Sequence, residues 1–303
     1  MKYNRNYEVI IIGGSHAGLS AAMTLGRSLR HTLVIDAGEP CNRFTPHAQN
    51  FITQDGQSPQ EIRRISLAQL ETYETIHFLE AKATHIERVG NKWQIKMIDQ
   101  TFESPLIILA TGLKDELPDW EGALACWGKS LIHCPYCHGY EWRNKKTALI
   151  ASADKAAHLV PLIHQLTSQL TLLTNGQDQL TKDLREALSD KHIPWDTRSI
   201  LRMEHQDGYL KSIHFVTGLP IKVEAAYGVF PVRQSSDFAF ELGANLNDNG
   251  FIQVDAMQQT TVKGLLACGD ATGMMRSVAA ATSSGQMAGA MANKWLADLH
   301  FYN

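Results

Sequence analysis

Cys134 and Cys137 stand two residues apart in the stretch His133-Cys134-Pro135-Tyr136-Cys137-His138-Gly139-Tyr140-Glu141. That spacing serves two chemistries, a thiol–disulfide pair or half of a metal site. Zinc would need two further ligands. No second C-x-x-C exists, and His133 and His138 are too close in sequence to the cysteines to close a tetrahedron readily. The other cysteines are Cys41, Cys126 and Cys268, so the set is odd and sparse and no disulfide scaffold. A redox pair is the leading reading, with a metal half-site and an inert loop pair as alternatives. His138 can move protons near neutral pH, and as imidazolium it would lower the pKa of a neighbouring thiol. An ordinary loop histidine is the plainer reading, and His133 is a reserve candidate.

A second set of residues suits phosphate and ribose. Val9-Ile10-Ile11-Ile12 reads as a strand buried on both faces, and Gly13-Gly14-Ser15-His16-Ala17-Gly18 follows before a helical stretch from Leu19 to Leu29. Leu33-Val34-Ile35-Asp36 is the next strand and ends in a carboxylate. Tight turn, helix N-terminus and then an acid is the order a dinucleotide site requires. Ser15 holds the second glycine position, and a packing turn that binds nothing is the alternative. Arg43 and the polar stretch from Asn50 to Gly56 read as cofactor-facing loops, Arg43 as a phosphate partner. Ala110-Thr111-Gly112 ends an apolar strand with residues small enough for a cofactor to pass closely, and Gly269-Asp270 ends another. Ser277 and Val278 open a long helix from Arg276, whose unpaired N–H groups suit a ring carbonyl that gains charge. Its small residues, from Ala279 to Ala290, would admit a ring system or another helix.

These sites need strands and helices in alternation. Thr147–Ile150, Asp154–Gln165 and Leu170–Thr174 repeat the strand–helix–strand order of the first unit. The expected class is α/β, with two Rossmann-like three-layer domains. Residues 1–115 and 228–303 form one domain, split by an inserted domain at 116–227 that carries the cysteine pair. Phe78–Val89 and Trp93–Ile98 read as strands of a sheet added to the first domain, and Gly250–Val254 as a strand or hairpin arm. A formal net charge of -3 predicts neither nucleic acid nor an anionic membrane as partner. No run approaches the ~18 apolar residues of a membrane span, and the first six residues do not open a signal-peptide core. A cytoplasmic protein is expected.

Taken in this order, the motifs resemble the thioredoxin-reductase-like flavoproteins, over essentially the whole length. The resemblance implies FAD on Gly13, Gly14, Ser15, Ala17, Gly18 and Asp36, with Ala110-Thr111-Gly112, Gly269-Asp270, Ser277 and Val278 beside it. It implies catalysis by Cys134, Cys137 and His138, Cys137 nearer the flavin and Cys134 exchanging with substrate. It also implies NADPH in the inserted domain and a homodimer. Two departures matter. His138 stands where ordinary thioredoxin reductases carry an aspartate, which is similar to the branch that includes gliotoxin-type dithiol oxidases. The nucleotide loop of the inserted domain reads Ala151-Ser152-Ala153-Asp154-Lys155-Ala156, and Asn175-Gly176-Gln177-Asp178-Gln179 replaces the basic cluster for a 2′-phosphate. The implied function is an FAD-dependent dithiol/disulfide oxidoreductase acting on a small dithiol or disulfide, with nucleotide use open. The alternatives are an NADPH-dependent thioredoxin reductase with a thioredoxin-like partner, a ferredoxin- or flavodoxin-linked reductase, and a non-enzymatic flavin sensor.

Overall fold

The structure, a computed structural model, describes residues 5–177 and 179–302. The chain divides into two compact units. The first holds the chain up to Arg43, Pro59–Lys114 and the chain from Val232; the second holds Phe44–Ser58 and Asp115–Pro231.

In the first unit β1 (Val9–Ile12), α1 (His16–Arg27), β2 (Thr32–Asp36), α2 (Pro59–Leu70), β3 (Ile76–Glu80) and β4 (Leu106–Leu109) follow in order. The strand Leu265–Ala267, β4, β1, β2 and β3 lie side by side, all parallel. Successive side chains of a strand point to opposite faces. Ile10 and Ile12 accordingly join one core with Ile86, Trp93, Ile95 and Phe102 of a three-stranded antiparallel sheet. Val9 and Ile11 join the other, with Leu19, Ala22 and Leu25 of α1 and Ala288, Ala292 and Leu296 of the helix Val278–Tyr302. Each such fully buried aliphatic side chain contributes about 1.5–3 kcal/mol. The expected sheet addition is therefore smaller than its sequence span: Ile76–Glu80 pairs with β2 in the main sheet, because its residues match the Thr32–Asp36 register one for one.

The second unit repeats this layering. Its short helix α3 (Pro135–His138) precedes β5 (Thr147–Ile150), α4 (Ala153–His164) and β6 (Leu170–Leu173). Trp195–Asp196, β6, β5, Ala225–Gly228 and Leu131–Ile132 form its five-stranded parallel sheet. Ala148 and Ile150 face an antiparallel sheet through Ile213 and Phe215, while Leu149 faces Ala156, Val160 and Ile163 of α4.

Two expectations fare differently. Residues 44–58, expected in the first domain, group with the second unit, where Phe44 packs against the core that contains Trp127 and backs onto Gly128. Gly250–Val254 forms no strand; Ile252 and Val254 make only single bridges, to Leu246 and Thr260.

Candidate active site

The chain leaves β1 toward β2 and returns to β4 on the other side of β1, so a crevice opens where the two connections part. Gly13 and Ala110 face each other across it. Gly13 has φ +107, and a Cβ there would run into the Ala110 carbonyl; a Cβ on Gly18 would run into the Gly13 carbonyl. Side chains are thus kept out of a backbone cradle at the end of β1. Ser15 caps α1 by position only, without a side-chain bond, and the first turn of α1 carries no acid. Asp36 accepts the Gly14 N–H (3.0 Å) and pairs with Arg63 (2.8 Å) from α2, which leaves its carboxylate capacity for further donors. Thr111 Oγ1 is buried with no hydrogen-bond partner among the described residues, and Gly112 turns at φ +69.

Gly269 (φ +75) donates to Ser284 Oγ at 3.0 Å, and Asp270 lies near Cys41 Sγ (3.5 Å) and Arg276 Nε (3.7 Å). Ser277 Oγ accepts the Ala280 N–H and so caps the helix that Val278 opens. The small residues of that helix serve packing: a Cβ on Gly285 would strike the Ala17 carbonyl, and one on Gly289 would lie 2.7 Å from the Ala21 oxygen. Ala17 is buried in that contact. Arg43 Nη1 bonds the Pro40 carbonyl (2.9 Å) in its own turn. Asn50 (φ +59) belongs to the segment of the second unit and donates its N–H to Asp55.

In the second unit Cys134 is the N-cap of α3 and Pro135 its first residue, where a missing N–H costs nothing. The Cys137 and His138 N–H groups both point to the Cys134 carbonyl at 3.3 Å. This single turn brings the two sulfurs to 2.6 Å. His138 Nε2 lies 3.4 Å from Thr45 Oγ1, on the segment docked onto this unit. Burial holds the His138 imidazole below its ordinary pKa, and the charge of His47 adds to that. A Cβ on Gly139 would strike the Pro135 carbonyl and stand 2.9 Å from the Tyr227 hydroxyl. Tyr227 is 1% exposed, and burial, then the charges of Cys134 and Glu141, push its phenol pKa up.

A cradle for a dinucleotide beside one sheet and a C-x-x-C turn on another is a combination that known proteins share. The sequence profile described as pyridine nucleotide-disulphide oxidoreductase matches residues 7–285. The chain belongs to that family. It is a flavoprotein oxidoreductase that acts on sulfur groups. A thioredoxin reductase of Claviceps purpurea is 31% identical over 97% of this chain and 95% of its own length. The solved structure of an oxidoreductase from Agrobacterium tumefaciens is 34% identical, with TM-score 0.89 over 96% of this chain and 99% of that one. TrxB from Bacillus anthracis is 30% identical, with TM-score 0.93 over 97% and 100%.

This oxidoreductase treats its second strand–turn–helix loop differently from the first. Ala151 is buried, and its N–H reaches the Leu173 carbonyl (3.2 Å) as Gly13 reaches Ile35 (2.8 Å). Gly13 has a positive φ and Ala151 does not. Asp154 stands in the first turn of α4. After β6, the Asn175 side chain accepts the Ile200 N–H (2.8 Å) and Gly176 bonds back to Thr197 (2.8 Å). Asp178 lies outside the described residues. The nearby Arg198 pairs with Asp196 (2.6 Å), donates to the Thr217 and Leu219 carbonyls and sits 4.0 Å over the Phe215 ring. Thr174 Oγ1 at this edge is buried without a hydrogen-bond partner among the described residues, like Thr111 Oγ1 in the first unit.

Sequence reasoning missed Arg63, Thr45, His47 and Tyr227. Each lies far in sequence from the group it meets and carries no spacing signal; for Tyr227 alone a signal exists that could have found it, a hydroxyl inside the apolar run Ala225–Gly228 whose burial demands a partner. His133 stacks on Trp127 (5.7 Å between ring centres). Tyr136 and Tyr140 are each 67% exposed, Tyr140 with the Arg143 guanidinium 4.0 Å over its ring, and Trp142 donates to the Lys129 carbonyl. Burial pushes Cys126 up and Cys268 up to about 12, which makes both inert thiols. No helix among the described residues is long and apolar enough to cross a membrane.

Proposed function

We propose that this protein oxidises a small dithiol to its disulfide through Cys134 and Cys137, with FAD in the first unit and no nicotinamide donor. The observation that carries the reading is the pair of facing sulfurs on α3 with His138 next in the chain. Gly13, Gly14, Ser15 and Gly18 would hold the pyrophosphate at the N-terminus of α1, with Asp36 on the ribose. Ala110, Thr111, Gly112, Gly269, Asp270, Ser277 and Val278 would line the remainder, and the unpartnered Thr111 hydroxyl fits that use. FAD, when bound, supplies a two-electron acceptor for the reduced pair.

The protein's own groups handle the sulfur chemistry. Neutral His138 takes the proton of one substrate thiol, and the thiolate attacks Cys134 Sγ. The Cys134–Cys137 bond breaks and its electron pair leaves on Cys137. His138 passes its proton to the Cys137 thiolate and takes that of the second substrate thiol; the new thiolate attacks the substrate sulfur of the mixed disulfide and releases Cys134, so the substrate loses two electrons and the pair gains them. Tyr227, kept protonated by its surroundings, keeps its hydroxyl proton available to donate.

The second reading is an NADPH-dependent thioredoxin reductase with a thioredoxin-like partner, favoured by the names of the relatives. An anaerobic titration separates the two. Bleaching of the flavin by dithiothreitol but not by NADPH or NADH, with colour restored by air, is expected. Equal bleaching by NADPH would replace the first reading with the second. A homodimer and a cytoplasmic location go with either, and sedimentation and fractionation test them.

A further inference from the structure

We infer that Thr45 is a positioning residue for His138: it holds the imidazole in the tautomer with its proton on Nε2, and so leaves Nδ1 as the atom that accepts the substrate proton. This rests on the dithiol reading above. The argument is one of counting protons. Thr45 Oγ1 lies 2.9 Å from the His47 carbonyl oxygen, which can only accept, so the single hydroxyl proton points there. Toward His138 Nε2, at 3.4 Å, Thr45 therefore presents a lone pair, and the contact is favourable only if Nε2 carries the hydrogen. A neutral imidazole has one proton, so Nδ1 is left as the acceptor.

The arm that delivers Thr45 is itself fixed. The His47 ring Nδ1 lies 2.9 Å from the Gly56 carbonyl and must donate to it. Ala48 and Gln57 pair across the segment, with the Ala48 N–H on the Gln57 carbonyl (2.8 Å) and the Gly56 N–H on the Ala48 carbonyl (3.0 Å). At its start the segment lies on Gly128, where any Cβ would meet the Phe44 backbone at 2.8 Å. Burial of His138 acts in the same direction, since it disfavours the doubly protonated ring that would need no tautomer choice.

The test uses the flavin-loaded protein with 15N-labelled histidine, and His138→Gln to assign the His138 signals. Two-bond 15N–1H correlations are expected to show the proton of His138 on Nε2. Thr45→Val keeps the side-chain size and removes the acceptor; it should erase that preference and slow flavin bleaching by dithiothreitol about tenfold, a part of what general base catalysis contributes. Thr45→Ser should restore both. A native His138 with its proton on Nδ1 overturns the proposal without any variant, as does Thr45→Val with unchanged tautomer and rate. Cys137→Ser tells the two levels apart. If it leaves dithiol bleaching intact, the dithiol reading itself falls; if it abolishes bleaching while Thr45→Val changes nothing, only the positioning role falls.

Discussion

The turn after β1 and the turn after β5 sit in the same place on similar sheets, and each is anchored by one backbone bond to the neighbouring strand, Gly13 to Ile35 and Ala151 to Leu173. Beyond that bond they part. Gly13 takes φ +107 against the Ala110 carbonyl, whereas Ala151 keeps an ordinary φ and buries its methyl in the core. One strand ends in Asp36, held by Gly14 and Arg63; the other ends in Leu173 and is followed by Thr174 and by Asn175, whose side chain accepts the Ile200 N–H of its own unit. The contrast teaches that the layering does not depend on which residues stand in the loop. Alternate apolar side chains build the sheet cores, and the loop residues contribute little to them.

The strongest way to break this comparison is to exchange the loop residues. Gly13→Ala should abolish flavin retention almost entirely, because both the backbone angle and the Ala110 carbonyl exclude a Cβ, while Ala151→Gly should retain full flavin; absorbance per protein measures both. Nicotinamide nucleotides should bind the native protein with Kd weaker than about 1 mM, some 4 kcal/mol of binding at most, as read by calorimetry. Micromolar binding would remove the functional meaning of the contrast. Asp36→Asn should weaken FAD binding about 10–100-fold, the range for a hydrogen bond to a charged group. Reconstitution of the apoprotein gives that number.

Smaller effects sharpen it. With His138 held below 6.5, dithiol oxidation should lose rate only as pH falls beneath that value, since protonation removes the base. His47→Gln removes the lesser of the two causes, so the acid limb should move up while burial keeps it below the ordinary position. A limb that moves down would contradict the sign. Ala151→Gly should cost the second unit about 0.5–1 kcal/mol of stability and lower Tm by a few degrees in a thermal melt.

Much of this was legible without coordinates where the signal is local. The C-x-x-C turn, the glycine loop and the strand ending in Asp36 are runs of neighbours, and their spacing follows from strand and helix geometry. The stripe of small residues from Ala279 to Ala290 left ring and helix open as neighbours, and the close fit of Gly285 and Gly289 onto Ala17 and Ala21 chose the helix. The segment 44–58 misled for a related reason: its polarity says only that it lies outside a core, and Phe44 on Gly128 decides which unit it joins.

The order of residues alone determined that two layered α/β units form, that a pair of thiols stands on one turn, and that the second loop lacks its glycines. Periodicity, spacing and the backbone limits of each residue type are properties of neighbours in the chain. The tertiary structure decided that Arg63 holds Asp36, that Thr45 reaches His138, and that Tyr227 closes in behind Gly139. Those partners come from distant parts of the chain, and a hydrogen bond between them exists only once packing has fixed both ends.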